Sequence, residues 1–460
     1  MTQFTPLRDL VGKDVFQIPG EFDPARHMDD FTNQAPASAN VLGIAYPRST
    51  QEVSQILKFC NDHDIKVTPQ GGMTGLAGGG VPITSTVILS LERMRAIEEL
   101  DVHAGTITVQ AGIPLERVQI AADEAGLFFP LDLGGRGTAQ VGGNASTNAG
   151  GNRVVRYGMM RALVLGAEWV MADGTVVTSL NKMIKNNAGY DLKHIFLGSE
   201  GTLGVITRLV LRLFPKARSV CTAFCALKDY PGVLDLLARA KSGLGSTLSA
   251  FEMMWPEFYH LGTTALGRRP PIAPEHGVYV LIETMGDDPA NDQAHFEAII
   301  AEAVEAGTVQ DAVIAQSGQQ AKELWSIRDC PGEFPKVFWP QLSLDISIPT
   351  GQMGDFMELC TQRLDARWPG IPKVFFGHVA DSNLHLSVLS DGDHARDALI
   401  EEEVYKAVGE WHGSISAEHG IGIHKRPYLH YSRSPEELAL MRTLKAAMDP
   451  KGTLNPGKVI

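Results

Sequence analysis

His378 and His385 stand seven residues apart in GHVADSNLH (residues 377–385), with apolar, β-prone residues on either side. Asp381-Ser382 suits a two-residue hairpin turn. Counting outward from that turn, 380 faces 383, 379 faces 384 and 378 faces 385. Both imidazoles are then expected on one face, about 5 Å apart, where they could chelate a metal; two unrelated surface histidines are the plainer alternative. A third ligand is available in SAEHGIG (416–422), where Glu418 and His419 are neighbours in a small-residue turn. Glu418 could complete a two-His, one-carboxylate site for Zn²⁺ or Mn²⁺ that leaves positions open to substrate, while His419 serves as a base. Equally, Glu418 could cap a helix.

Glycine carries the second chemical signal. Residues 71–80 hold six Gly in ten and residues 134–151 seven in eighteen, and a third run, GSEGTLG, occupies 198–204. Consecutive backbone N–H groups freed from side chains can turn to one side and cradle an anion such as a pyrophosphate. Two such loops point to a dinucleotide, the alternative being tight glycine turns. The pattern GxGxxG occurs nowhere in the chain, so a nicotinamide cofactor bound in the usual βαβ manner loses support.

The elements that must hold these groups follow from hydrophobic period. Residues 45–98 read as a βαβ-like unit with a helix over 50–62 and strands over 66–69 and 85–91. Strand-like 162–171 meets 175–178 through an Ala172-Asp173-Gly174 turn, and 205–213 is an apolar strand. Beyond about residue 216 the texture becomes α+β: strands over 221–227, 277–283, 342–348 and 373–389, and helices over 231–241, 290–306, 317–328, 353–368, 397–412 and 435–448. A length of 460 residues predicts two to four domains. With 40 basic against 53 acidic side chains, a net charge of −13 argues against a nucleic-acid partner. Five cysteines without a CxxC exclude a disulfide scaffold. The first residues lack the pattern of a signal peptide and no long apolar run occurs, so a cytoplasmic protein without a membrane span is expected.

PQGGMTGLAGG (69–79) resembles the pyrophosphate loop of FAD-binding domains of the vanillyl-alcohol-oxidase type. PLDL (130–133), VGGNASTNAGG (141–151), RYG (156–158), GYDLK (189–193) and GSEGTLGVI (198–206) continue the likeness. The resemblance implies an α+β fold: a two-part FAD-binding domain (1–216), an α+β substrate- and metal-binding cap with an antiparallel sheet (217–430), and a C-terminal segment (431–460) returning to the FAD domain. It places FAD against Pro69, Gly71, Gly72, Met73, Thr74, Gly75 and Leu76 of the first loop, and against Pro130. The second loop supplies Gly142, Gly143, Asn144, Thr147, Asn148 and Gly150. Tyr157, Glu200, Gly201, Gly204, Val205, Ile206 and Asn455 complete the set. Tyr157 and Tyr190 could stack on a ring or fill the core. Residues 69–82 contain no His to tether a flavin, so the FAD is expected to be non-covalent.

GHVADSNLH and SAEHGIG look like the paired motifs of flavin-dependent D-2-hydroxy-acid dehydrogenases, and LNPGK (454–458) like their ending. That resemblance implies His378, His385 and Glu418 as ligands of a divalent metal (Zn, or else Mn), His419 as catalytic base, and Arg328 of WSIRD (325–329) as the clamp on the substrate carboxylate, with Asn383, Ser387 and Ser343 nearby. Enzymes of the D-2-hydroxyglutarate branch usually carry Lys and Asn where this chain has Ser343 and Ser387. Either Arg328, Lys336 or Lys185 substitutes for the cation, or the substrate is another D-2-hydroxy acid such as D-lactate. D-2-hydroxyglutarate stands first, because SAEHG and the following Lys425-Arg426-Pro427 look closest to that branch. The resemblance further implies an electron-transfer flavoprotein or quinone as acceptor and a homodimer. A reading of another class is a non-catalytic flavin subunit of a glycolate-oxidase-like complex; a metal-free oxidase using O₂ is a further enzyme reading.

Overall fold

Amphipathic spacing decides the first crossover. In the computed structural model, which describes residues 2–32 and 39–460, the helix Thr50–Asp62 begins where Ser49 Oγ accepts the Glu52 amide at 3.2 Å. It buries Val53, Ile56, Leu57 and Cys60, the three- and four-residue spacing of one helical face. This helix links Asn40–Ala45 to Lys66–Gln70, which flank Ser85–Ser90 in parallel, and Phe16–Gln17 adds an antiparallel edge. A second sheet runs in the order Ile97–Asp101, Thr106–Gln110, Val205–Arg212, Val164–Val170, Val176–Ser179, all antiparallel. Gly174, at φ +86°, makes the turn between the last two in sequence, a conformation glycine adopts without strain.

The chain packs as two units. One comprises Met1–Gly150, Gly158–Lys216 and Glu418–Ile460; the other Gly151–Tyr157 and Ala217–Ala417. Relative to domains of 1–216, 217–430 and 431–460, the chain rejoins the first unit at Glu418 rather than at 431, and 151–157 packs with the second.

The second unit is built on a seven-stranded antiparallel sheet in the order Asp311–Ile314, Ser219–Leu227, Val278–Gly286, Leu248–Met254, Lys373–His378, Asn383–Leu389, Gln341–Ser347. Phe224, Phe258, Tyr259, Tyr279, Phe334 and Phe376 share one core cluster on it. Glu283 is buried there and satisfied throughout: Arg153 donates through Nε (3.0 Å) and Nη2 (3.2 Å), Trp325 through Nε1 (3.0 Å) and Ser249 through Oγ (2.8 Å). Removing one side of such a pair strands a charge. Glu283→Ala is therefore expected to lower unfolding free energy by about 3–5 kcal/mol, read in a denaturant melt; a change below about 1 kcal/mol would show the pair to behave like a solvated surface bridge. All five cysteines are buried and unpaired, and among the described residues no helix is long and apolar enough to cross a membrane.

Candidate active site

The two histidines come together, but by a different register from that read in the sequence. Val379–Asp381 forms a 3₁₀ turn and Ser382 takes φ +71°, so the connection has four residues. His378 faces Asn383 and His385 faces Phe376. Thr350 Oγ1 ties this turn through Val379 O (3.2 Å) and Ser382 Oγ (2.8 Å), a contact distant in sequence. Residues two apart on a strand share a face, so both imidazoles still lie on one side, as diagonal neighbours. Their ring centroids are 5.5 Å apart and each offers a ligand atom within 4.8 Å of the other's. Both are buried, which removes the surface-histidine alternative. Phe376 lies under the pair's surroundings, stacking on His385 at 4.7 Å and carrying the Arg328 guanidinium at 5.1 Å.

Arg328, the last residue of the helix Gly318–Arg328, is buried as well. Its Nε donates to Glu252 Oε2 at 2.7 Å and its Nη2 to His378 Nε2 at 3.1 Å. His378 Nδ1 meets Glu252 Oε1 at 2.8 Å. A guanidinium only donates and an ionised carboxylate only accepts, so neutral His378 carries its proton on Nδ1 and keeps the Nε2 lone pair. Burial pushes the Glu252 carboxyl up, but His378 and Arg328 more than offset it and hold it below the ordinary range. Asp345, on Gln341–Ser347 directly opposite His385, has Oδ1 3.7 Å from His385 Nδ1. It also accepts from Asn383 Nδ2 (2.8 Å) and from the Ala417 amide (3.1 Å). Asn383 thereby spends its amide group on holding Asp345 and Ile346 O. Ser343 and Ser387 oppose each other across the strands. Lys336, a candidate replacement cation, donates to Glu333 at 2.7 Å on the surface.

Glu418 and His419 follow Ala417 directly and open the last segment of the first unit. Within that unit the turn after them is pinned. Glu200, at φ +51°, accepts the Ile421 amide at 2.7 Å and the Gly422 amide at 2.9 Å. A Cβ on Gly422 would lie 1.8 Å from Ala77 O. The chain carrying His419 is thus clamped to the glycine loop, with Glu200 as the clamp.

The first glycine loop is anchored by side chains outside its glycine run. Gln70 donates to Gly80 O and His27 O, each at 2.8 Å, and meets His27 Nδ1 at 2.6 Å; Asp30 accepts the Gly78 amide at 3.0 Å. Met73 takes φ +54°. A Cβ on Gly72 would lie 1.9 Å from Thr138 O, and on Gly142 2.6 Å from Ala111 Cβ, whereas on Gly143 it meets nothing within 4 Å. Pro69 is the fourth residue of the strand Lys66–Gln70 and packs against Gly201; Gly204 faces the Phe196 ring; Val205 and Ile206 start Val205–Arg212. Thr147 Oγ1 turns back on Gly143 O (3.2 Å), and Asn148 accepts the Arg161 amide (2.8 Å). Tyr157 lies in the segment packed with the second unit, under Arg156 at 5.0 Å, and Tyr190 is 95% exposed and fills no core.

Among the described residues of this unit, the buried polar atoms with no hydrogen-bond partner in the protein include Asn144 Oδ1, Asn455 Oδ1 and Lys458 Nζ. Asn455 Nδ2 is used by Gly79 O (2.9 Å) and Glu200 O (2.7 Å). Burial lowers the Lys458 ammonium to about 8, with Glu200 opposing the shift. Unsatisfied buried polar groups call for a ligand, and a cation beside small-residue loops fits an anionic cofactor.

Comparison with known proteins agrees. Residues 41–179 match the family described as FAD binding domain, and 216–459 the family described as FAD linked oxidases, C-terminal domain. D-2-hydroxyglutarate dehydrogenase, mitochondrial, of Arabidopsis thaliana is 42% identical over 417 residues, covering 90% of this chain and 74% of the plant protein. The Xanthomonas citri pv. viticola protein named D-2-hydroxyglutarate dehydrogenase is 38% identical over 91% of this chain and 89% of its own. A mitochondrial Schizosaccharomyces pombe protein with a D-lactate dehydrogenase name is 39% identical over 99% of this chain and 89% of its own. The fold matches p-cresol methylhydroxylase (TM-score 0.79, 16% identity, 99% and 96% covered) and 4-ethylphenol oxidase from Gulosibacter chungangensis (TM-score 0.76, 18% identity, 99% and 96% covered). The matched families and the relatives at about 40% identity define an FAD-dependent oxidoreductase. The chain belongs to the FAD-linked oxidase family, in the group that contains the D-2-hydroxyglutarate dehydrogenases.

Proposed function

We propose that this chain oxidises a D-2-hydroxy acid, D-2-hydroxyglutarate first, to the 2-keto acid. The observation that carries the reading is the pair of buried imidazoles 5.5 Å apart with a buried guanidinium 3.1 Å from one of them. A 2-hydroxy acid presents an alcohol and a carboxylate on adjacent carbons, and this arrangement offers a group for each. Arg328 clamps the carboxylate through its planar fork. His378, His385 and Glu418 would hold a divalent metal, Zn²⁺ before Mn²⁺, which supplies Lewis-acid polarisation of the α-hydroxyl. His419 takes the hydroxyl proton. The glycine loops, Asn144 and Asn455 would hold FAD without a covalent link, and the flavin would supply the acceptor, at N5, for the C2 hydrogen leaving as hydride. Substrate loses one hydride and one proton, and C2 becomes a carbonyl. The first unit thus serves the cofactor and the second the substrate, with Asn383, Ser343 and Ser387 beside it.

D-Lactate is the second reading, favoured by the uncharged Ser343 and Ser387 and by the yeast relative's name. The remaining parts of the proposal are an electron-transfer flavoprotein or quinone as acceptor, a homodimer, and cytoplasmic residence, the last standing against the mitochondrial names of several relatives. Anaerobic flavin spectra test the core of it. Adding D-2-hydroxyglutarate, D-lactate or D-malate is expected to bleach the flavin, EDTA to stop the bleaching, and added Zn²⁺ or Mn²⁺ to restore it. Bleaching that EDTA leaves untouched would remove the metal from the reading. Flavin that none of these acids reduces would favour the non-catalytic subunit.

A further inference from the structure

Glu252 belongs to no motif in the chain and comes from a strand, Leu248–Met254, buried on both faces. Its carboxylate is 1% exposed and divides its two oxygens: Oε1 to His378 Nδ1 at 2.8 Å, Oε2 to Arg328 Nε at 2.7 Å. The strand pairing places Glu252 directly opposite His378. We propose that Glu252 is a positioning residue that acts on both halves of the proposed site, fixing the His378 ring for metal and the Arg328 fork for the substrate carboxylate. This rests on the reading given above for His378 and Arg328.

The physical case has two parts. A carboxylate holding Nδ1–H sets the tautomer, fixes the ring plane and raises the basicity of Nε2, the atom that accepts from Arg328 here and that would exchange this bond for a metal. The same carboxylate takes Arg328 through Nε at 2.7 Å, while Nη2 of the same guanidinium donates to His378 Nε2 at 3.1 Å, so Glu252, His378 and Arg328 hold one another in one orientation. Loss of the charge at Glu252 should therefore weaken two separable events, whereas a general packing defect should not select them.

The test uses FAD-loaded protein stripped of metal with EDTA. Zn²⁺ affinity is measured by competition with a chromophoric chelator for wild type, Glu252→Gln, Glu252→Asp and Glu283→Gln. Glu283 is the comparison because it is a similarly buried partner of an arginine in the same sheet, bonded to neither histidine and separated by one strand from that of His378. Expected are a Zn²⁺ affinity about 10–100-fold weaker in Glu252→Gln, partial recovery in Glu252→Asp, and wild-type affinity in Glu283→Gln even if its melting temperature falls. KM for the hydroxy acid should rise in Glu252→Gln beyond what added metal reverses. Should Glu252→Gln not fold, Glu252→Asp carries the test alone, with several-fold weaker Zn²⁺ binding expected. Unchanged Zn²⁺ affinity in the folded Glu252 variants, or equal weakening in Glu283→Gln, overturns this assignment while leaving the metal reading intact. Wild-type protein that binds no Zn²⁺ overturns both.

Discussion

Replacing His419 by Gln is expected to slow anaerobic flavin reduction by about 10²–10⁴-fold with flavin content unchanged. Gln keeps much of the volume and a hydrogen-bonding end but cannot take up a proton at neutral pH. The turn that carries the residue is held independently of its side chain, by the Glu200 carboxylate on the Ile421 and Gly422 amides, so its backbone should survive the change. Stopped-flow reduction with D-2-hydroxyglutarate reads the effect. A rate within about threefold of wild type, far short of the loss expected for a missing general base, would move the base elsewhere; loss of flavin would show a structural role instead.

Gly72→Ala is expected to weaken FAD binding and the fold of the first unit together. The new methyl would sit 1.9 Å from Thr138 O, a backbone atom that cannot yield as a side-chain tip does, so the loop must shift. Overpacking of this kind costs about 1–3 kcal/mol or more, which appears as roughly a 5–150-fold weaker dissociation constant if it falls on the FAD-bound form. Gly143→Ala separates the two causes. Its methyl meets no protein atom within 4 Å, so it should leave the melting temperature of the flavin-free protein alone and still weaken FAD, if the cofactor approaches that backbone. Fluorescence titration of deflavinated protein measures both. Full FAD affinity in Gly72→Ala would contradict the role given to this loop.

What could be read from the sequence follows from how local each signal is. The helix Thr50–Asp62 was legible because its apolar spacing is contained in thirteen residues. The glycine loops were legible as loops, since no helix or strand selects such a run. The strand Leu248–Met254 was not, because burial at every position erases the alternation that marks a strand, and Glu252 was missed with it. The histidine hairpin was half legible. Pairing counted outward from a two-residue turn placed both rings on one face, but the register goes with a four-residue turn tied by Thr350, which no local pattern announces. Likewise Gln70 and Asp30 acquire their roles only when the chain folds back on the loop.

The most direct measurement is a stopped-flow comparison of flavin bleaching by D-2-hydroxyglutarate, its L-enantiomer and the D-acid deuterated at C2, without oxygen. The account predicts bleaching by the D-acid alone, slowed by deuterium because the C2–H bond breaks as the flavin is reduced. Bleaching by the L-acid at a similar rate, or none by any D-2-hydroxy acid, would contradict it.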